Sequence, residues 1–139
     1  MIIWPPGEKL PGSKKILIVE DYASIANLYS LVLQKSGYTV QIAASGRQAL
    51  EQVLSFRPDV ILLDIMIPDI DGIEVLKTIR HNPKYSQIQP LVLVTSNVLQ
   101  EDISDQAALY GADGYVVKAN IENKELVTIV GELLAKGSR

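Results

Sequence analysis

Four short stretches of this 139-residue chain end on residues that can do chemistry. Ile16–Val19 leads to the pair Glu20 and Asp21, Val60–Leu63 to Asp64, Leu91–Val94 to Thr95 and Ser96, and Gly114–Val117 to Lys118. Continuous apolar runs of this length are the pattern of strands covered on both faces, so each presents its last side chains at the rim of a sheet. Were the three carboxylates to meet, each like-charged pair at about 4 Å would cost about 4 kcal/mol at an effective dielectric of about 20. A proton or a cation must compensate that repulsion. Carboxylate oxygens with a loop carbonyl, that of Met66, suit a hard ion that keeps its waters, which points to Mg²⁺ before zinc or copper. The Thr95 hydroxyl and the Lys118 ammonium supply the donor and counter-charge that a phosphoryl group also needs. Together these groups describe phosphoryl transfer with an aspartate, Asp64, as acceptor.

The elements that must position them alternate regularly. Ile25, Leu28 and Val32, with Tyr29 and Leu33, recur at helical spacing from Tyr22 to Ser36, and Gly37 closes the helix. Tyr38, Val40 and Ile42 alternate with Thr39 and Gln41, the pattern of a strand at a sheet edge. Ser45 can cap a helix running to about Phe56, and Pro58 punctuates before the Asp64 strand. In the loop PDIDG, Asp69 and Asp71 read as loop and cap residues ahead of a helix that Asn82 and Pro83 terminate. A weaker helix spans about Leu99 to Tyr110, and the last helix runs from about Asn123 to Ala135. His81, the only histidine, follows Arg80 near a helix C-terminus and reads as a surface residue rather than a phosphohistidine.

Strict strand and helix alternation predicts one α/β domain: a flavodoxin-like five-stranded parallel sheet with helices on both faces, joined by right-handed crossovers. An edge position for the second strand favours the order 2-1-3-4-5, in which strands one and three meet at the topological switch point. Glu20, Asp21 and Asp64 then converge, because adjacent strands lie about 4.8 Å apart.

Composition narrows the partners. A net charge of −3 with scattered basic residues indicates neither direct nucleic-acid binding nor a membrane surface. The absence of cysteine removes disulfides and thiolate chemistry and fits a reducing compartment. No run approaches the roughly 20 apolar residues of a membrane span, so a cytoplasmic location is expected. The boundaries read as a flexible leader at 1–13, rich in proline and glycine, a domain at 14–135 and a polar tail at 136–139, and the leader favours a free-standing protein.

Taken together, the acid pair, D-x-M-x-P-x-x-D-G around Asp64, the hydroxyl Thr95 and G-A-D-G-Y-x-x-K ending on Lys118 resemble the CheY-like receiver domain of two-component response regulators over about Lys14 to Ala135. The resemblance implies Asp64 as phosphoacceptor, Glu20, Asp21, Asp64 and the Met66 carbonyl at Mg²⁺, Thr95 and Lys118 as phosphoryl ligands, and Thr95 with Tyr115 as the switch. It implies a phosphoryl donor that is a sensor histidine kinase or a histidine phosphotransfer protein. It also implies an unknown downstream protein partner, met on the face of the fourth helix, fifth strand and fifth helix. Any catalysis would be of the domain's own phosphorylation and slow dephosphorylation, with no separate enzymatic output. Two departures stand out. Ala119 follows Lys118 where the family usually has a cis proline, which predicts a trans peptide because a cis bond there costs about 3 to 4 kcal/mol. Val127, Thr128 and Ile129 follow Glu125 and Leu126 where DNA-binding dimers typically carry a basic residue.

Other readings compete with these. Glu20 reads equally as a solvated neighbour of the site, and Tyr115 as ordinary packing. A haloacid-dehalogenase-type phosphatase would have an acid at Met66, a flavodoxin would lack Glu20 and Asp21, and a dinucleotide site would need G-x-G-x-x-G, which is absent. A receiver-like interaction module that acts without phosphorylation is the alternative function.

Overall fold

Runs of branched apolar residues become the sheet. The structure is a computed structural model that describes residues 13–97 and 99–137. In chain order the elements are β1 (Lys15–Val19), α1 (Ala23–Lys35), β2 (Thr39–Ala43), α2 (Gly46–Phe56), β3 (Val60–Asp64), α3 (Gly72–His81), β4 (Leu91–Ser96), α4 (Glu101–Leu109), β5 (Gly114–Val117) and α5 (Asn123–Lys136). All pairings are parallel and the order is β2-β1-β3-β4-β5, as the edge pattern of Tyr38–Ile42 predicts. The expected leader lies, except for Ser13, outside the described residues, as do residues 138 and 139 of the tail. Lys136, assigned to the tail, instead closes α5.

Period-two alternation divides the core between the two faces of the sheet. Leu17, Ile61, Leu63, Val92 and Val94 pack under α2, α3 and α4. Ile16, Ile18, Leu62 and Leu93 pack under α1 and α5, against Leu33, Leu126 and Val130. Burying one such side chain stabilises the fold by roughly 1.5–3 kcal/mol, which makes these strands the rigid part of the molecule. The helices begin where capping chemistry allows. Ser45 accepts from Gln48 N at 3.1 Å and Asp71 from Glu74 N at 3.0 Å, both at predicted caps. The helix expected from Leu99 starts at Glu101, and that expected from Tyr22 starts at Ala23, with Tyr22 extended at its head. Among the described residues no helix is long and apolar enough to cross a membrane.

Two ties at the far end of the sheet hold the strands in register. Asp59 Oδ2 accepts from Lys15 N at 2.8 Å, joining β1 to β3. Arg80 on α3 donates to the Pro90 and Gly111 carbonyls and to Asp113, which also accepts from Val92 N at 2.9 Å. This buried guanidinium fastens α3 to the starts of β4 and β5, because a carboxylate and two carbonyls meet its fork of donors.

Candidate functional site

The C-terminal ends of β1, β3 and β4 bring three predicted residues into one row. Val19 is level with Leu63 and Asp64 with Thr95, so Glu20, Asp64 and Thr95 lie side by side on the α1/α5 face. All three are nearly enclosed, at 4%, 3% and 4% exposure, while Asp21 is exposed. Carboxylate oxygens of Glu20, Asp21 and Asp64 lie within 4.8 Å of one another.

Lys118 enters this row from the end of β5. Its Nζ donates to Asp64 Oδ2 at 2.9 Å and to Glu20 Oε1 at 2.5 Å. The alternative of a solvated Glu20 is therefore overturned: this side chain is buried, paired with Lys118, and its Oε2 accepts from Tyr22 N at 3.1 Å. Ala119 does not spoil the reach of Lys118. Among the described residues no peptide is cis, as predicted for Lys118–Ala119, and a short 3-10 turn at Lys118–Asn120 leads toward α5.

Electrostatics leave the cluster short of positive charge. Burial pushes the Glu20 carboxyl above its ordinary range and neighbouring Asp64 adds to the rise, which the Lys118 hydrogen bond only partly offsets. Burial pulls on Lys118 in the downward direction, but hydrogen bonds to Glu20 and Asp64 outweigh it and hold the ammonium above its usual value. One protonated lysine thus bonds two of the three clustered acids. That donor set, all carboxylate oxygen with a net negative charge and one exposed member, fits a hard divalent cation.

Backbone geometry fixes Asp64 from the other side. Met66 N donates to Asp64 Oδ1 at 3.1 Å, while the Met66 side chain stands 70% exposed at the mouth of the site. Gly72 opens α3 directly against this turn: its N donates to Ile65 O at 2.9 Å, and a Cβ there would lie 2.4 Å from the Asp64 carbonyl oxygen. The motif glycine is needed for this approach of backbone to backbone, a reason its reading as turn chemistry did not supply.

Tyr115 is not in this row. It packs on the opposite face, against the core under α4, and its hydroxyl shares a 2.6 Å hydrogen bond with Ser96 Oγ. Sequence reasoning noted Ser96 only as a second hydroxyl. Alternation along β4 carries the missing signal, because Ser96 must point away from Thr95 and toward the Tyr115 side. His81 is exposed, with its ring edge-on to Tyr110, as a surface residue should be.

A parallel 2-1-3-4-5 sheet with an acid cluster, hydroxyl and lysine on its strand ends has a known counterpart. Residues 16–131 match the family described as the response regulator receiver domain, and the chain belongs to that family. It is a CheY-like receiver domain of two-component response regulators, a class that signals through phosphorylation. Among curated relatives, it is 38% identical over 124 residues to the response regulator ArlR of Staphylococcus saprophyticus, covering 88% of this chain and 53% of that protein. It is also 38% identical over 107 residues to the alkaline phosphatase synthesis transcriptional regulatory protein PhoP of Bacillus subtilis, covering 76% of this chain and 42% of that protein. The chain thus spans about half the length of these relatives. Among solved structures, a putative response regulator from Chloroflexus aurantiacus superposes with a TM-score of 0.79 at 32% identity, covering 89% of this chain and 99% of that one. The chemotaxis response regulator CheY4 of Vibrio cholerae does so with a TM-score of 0.77 at 30% identity, covering 87% and 98%.

Proposed function

We propose that Asp64 accepts a phosphoryl group from a sensor histidine kinase or a histidine phosphotransfer protein, and that the phosphorylated domain changes its α4–β5–α5 face to control a protein partner. The observation that carries this reading is the Lys118 ammonium bonded to both Asp64 and Glu20, with Asp21 alongside. A carboxylate oxygen of Asp64 attacks phosphorus, forming an acyl phosphate as the bond to the donor's imidazole nitrogen breaks. Lys118 remains as counter-charge to the phosphoryl oxygens, and Thr95, level with Asp64, supplies a hydroxyl donor. Glu20, Asp21, Asp64 and the Met66 carbonyl would hold Mg²⁺, which supplies charge neutralisation for the transferring group. The added phosphate carries about 1.5 to 2 negative charges, enough to draw Thr95 and the end of β4 toward it.

This reading carries with it a cytoplasmic location, and a readout through protein rather than nucleic acid, since α5 presents Val127, Thr128 and Ile129 after Leu126. Incubation with Mg²⁺ and acetyl phosphate is expected to give one acyl phosphate by intact mass spectrometry, absent from Asp64→Asn. Beryllofluoride should shift backbone amide resonances at Asp64, Thr95 and α4. A wild-type protein that stays unmodified and spectroscopically silent under both treatments would instead be a module that binds partners without phosphorylation.

A further inference from the structure

We propose that Gly46, in the first turn of α2, is a positioning residue for the Met66 carbonyl, bracing from outside the acid cluster the loop that carries it. The role toward Mg²⁺ rests on the reading of Glu20, Asp21, Asp64 and Met66 as the cation site, whereas the brace itself stands on geometry. Asp69 is what calls for a brace. Its φ is +73°, in the left-handed region, and Ile70 N donates back across it to Pro68 O at 2.9 Å. A three-residue turn of this kind is strained, and such strain persists only where the surroundings hold it.

Gly46 supplies the hold. As the first residue of α2, its N–H has no acceptor within the helix, and it donates to the same Pro68 carbonyl at 3.1 Å. Gly46 is buried, and a Cβ there would overlap the Ile70 carbonyl oxygen and stand 2.8 Å from the Ile70 Cβ. Only glycine lets α2 come this close to the turn. The cap fixes the approach of the helix in its turn, since Ser45 Oγ accepts from Gln48 N at 3.1 Å and Gln48 Oε1 from Ala44 N at 2.9 Å. Met66 therefore sits between two pinned points. On one side, Ile65 N donates to Thr95 O at 3.2 Å and Ile65 O accepts from Gly72 N at 2.9 Å; on the other, Pro68 O takes two donors. With Met66 N given to Asp64 and Ile67 buried, little freedom remains for the Met66 carbonyl to turn. Thus α2, which contributes no ligand, orients one through Gly46.

The test uses Mg²⁺ as the probe, with the amide resonances of Asp21 and Asp64 reporting its binding. Gly46→Ala is expected to raise the Mg²⁺ dissociation constant about tenfold, the loss usual for groups that support a ligand without touching the ion. Val53→Ala, a core truncation in the same helix, should lower the urea midpoint yet leave Mg²⁺ affinity unchanged, a contrast that general loosening would not produce. Wild type offers a second measurement that needs no variant. Coupling is reciprocal, so saturating Mg²⁺ should slow hydrogen exchange of the Gly46 amide about tenfold and change the Gln48 amide of the same turn far less. Wild-type affinity in Gly46→Ala, or a Gly46 amide indifferent to Mg²⁺, overturns the proposal. If Gly46→Ala does not fold, the exchange measurement decides alone. If Mg²⁺ moves no resonance in wild type, the cation reading fails, while metal-free exchange of the Met66 amide, about tenfold faster in Gly46→Ala than in Val53→Ala where the brace holds, still decides the brace.

Discussion

The Lys118 ammonium stands 2.9 Å from Asp64 Oδ2 across 54 residues of chain, and the same ammonium holds Glu20. One cation between two buried acids makes the two kinds of charge unequal in their effect on stability. Lys118→Ala leaves Glu20 and Asp64 facing each other without compensation. It is expected to lower the unfolding free energy by about 3 kcal/mol in urea titrations. Asp64→Asn has the opposite sign, because it removes the repulsion that helps to raise the Glu20 carboxyl and leaves Lys118 paired with Glu20. The Asn variant should be as stable as wild type or about 1 kcal/mol more stable. A loss of stability in Asp64→Asn comparable to that in Lys118→Ala would contradict this account of the cluster.

Much of this cluster is legible in the sequence, because strand ends carry it. Apolar runs of four name the buried strands, the alternating Tyr38–Ile42 marks the edge, and the strand order then forces Glu20, Asp21 and Asp64 together. Partners chosen by packing between distant elements were not legible. Nothing in the spacing of Arg80 announces that it fastens α3 to β4 and β5, since its acceptors are two carbonyls and Asp113. Likewise, parity places Ser96 and Tyr115 on one face, but only the packed helices decide that their hydroxyls meet.

The two glycines at 72 and 131 should respond to alanine with opposite signs. At Gly72 the new Cβ meets the backbone of Asp64 and Ile65 at 2.4 and 2.7 Å, and neither can yield without moving the site. Gly72→Ala is expected to cost about 3 kcal/mol, at the upper end for overpacking, and to slow acetyl phosphate labelling of Asp64. At Gly131, inside α5, nothing lies within 4 Å of the Cβ. Gly131→Ala should therefore stabilise the protein by about 0.5–1 kcal/mol through helix propensity. Urea midpoints of both variants, measured side by side, check the contrast.

Stability should fall on the alkaline side. Burial raises the Tyr29 hydroxyl above the ordinary tyrosine value of 10.0, with Glu20 and Asp64 adding to the rise and Lys118 opposing it, and burial alone raises Tyr85. A group whose folded value is raised contributes stability that is complete below its unfolded value and lost as pH climbs through the folded one. The loss therefore begins near pH 10.0 for both tyrosines, and Lys118, also raised, acts in the same direction from about its ordinary 10.5. Urea midpoints that decline above pH 10, with a shallower decline in Tyr29→Phe and Tyr85→Phe, are the expected result. A flat profile to pH 11 would remove these groups from the account.

Met66 bears on the lifetime of the phosphorylated state. Its amide is spent on Asp64 Oδ1, and its side chain projects, 70% exposed, at the mouth of the site where water must approach an acyl phosphate. A thioether donates no hydrogen bond and accepts only weakly, so it leaves an incoming water unoriented. Autodephosphorylation should accordingly be slow, and Met66→Asn, which adds an amide at the same position, should speed it several-fold. The decay of acetyl phosphate-labelled protein after desalting into buffer with Mg²⁺ measures this directly. Because the Met66 amide and the Lys118 contact with Asp64 involve no Met66 side-chain atom, the substitution should leave the extent of labelling at saturation unchanged. An unaltered decay rate in Met66→Asn would mean that hydrolysis is limited elsewhere in the site, at the Lys118 and Thr95 contacts with the phosphoryl group.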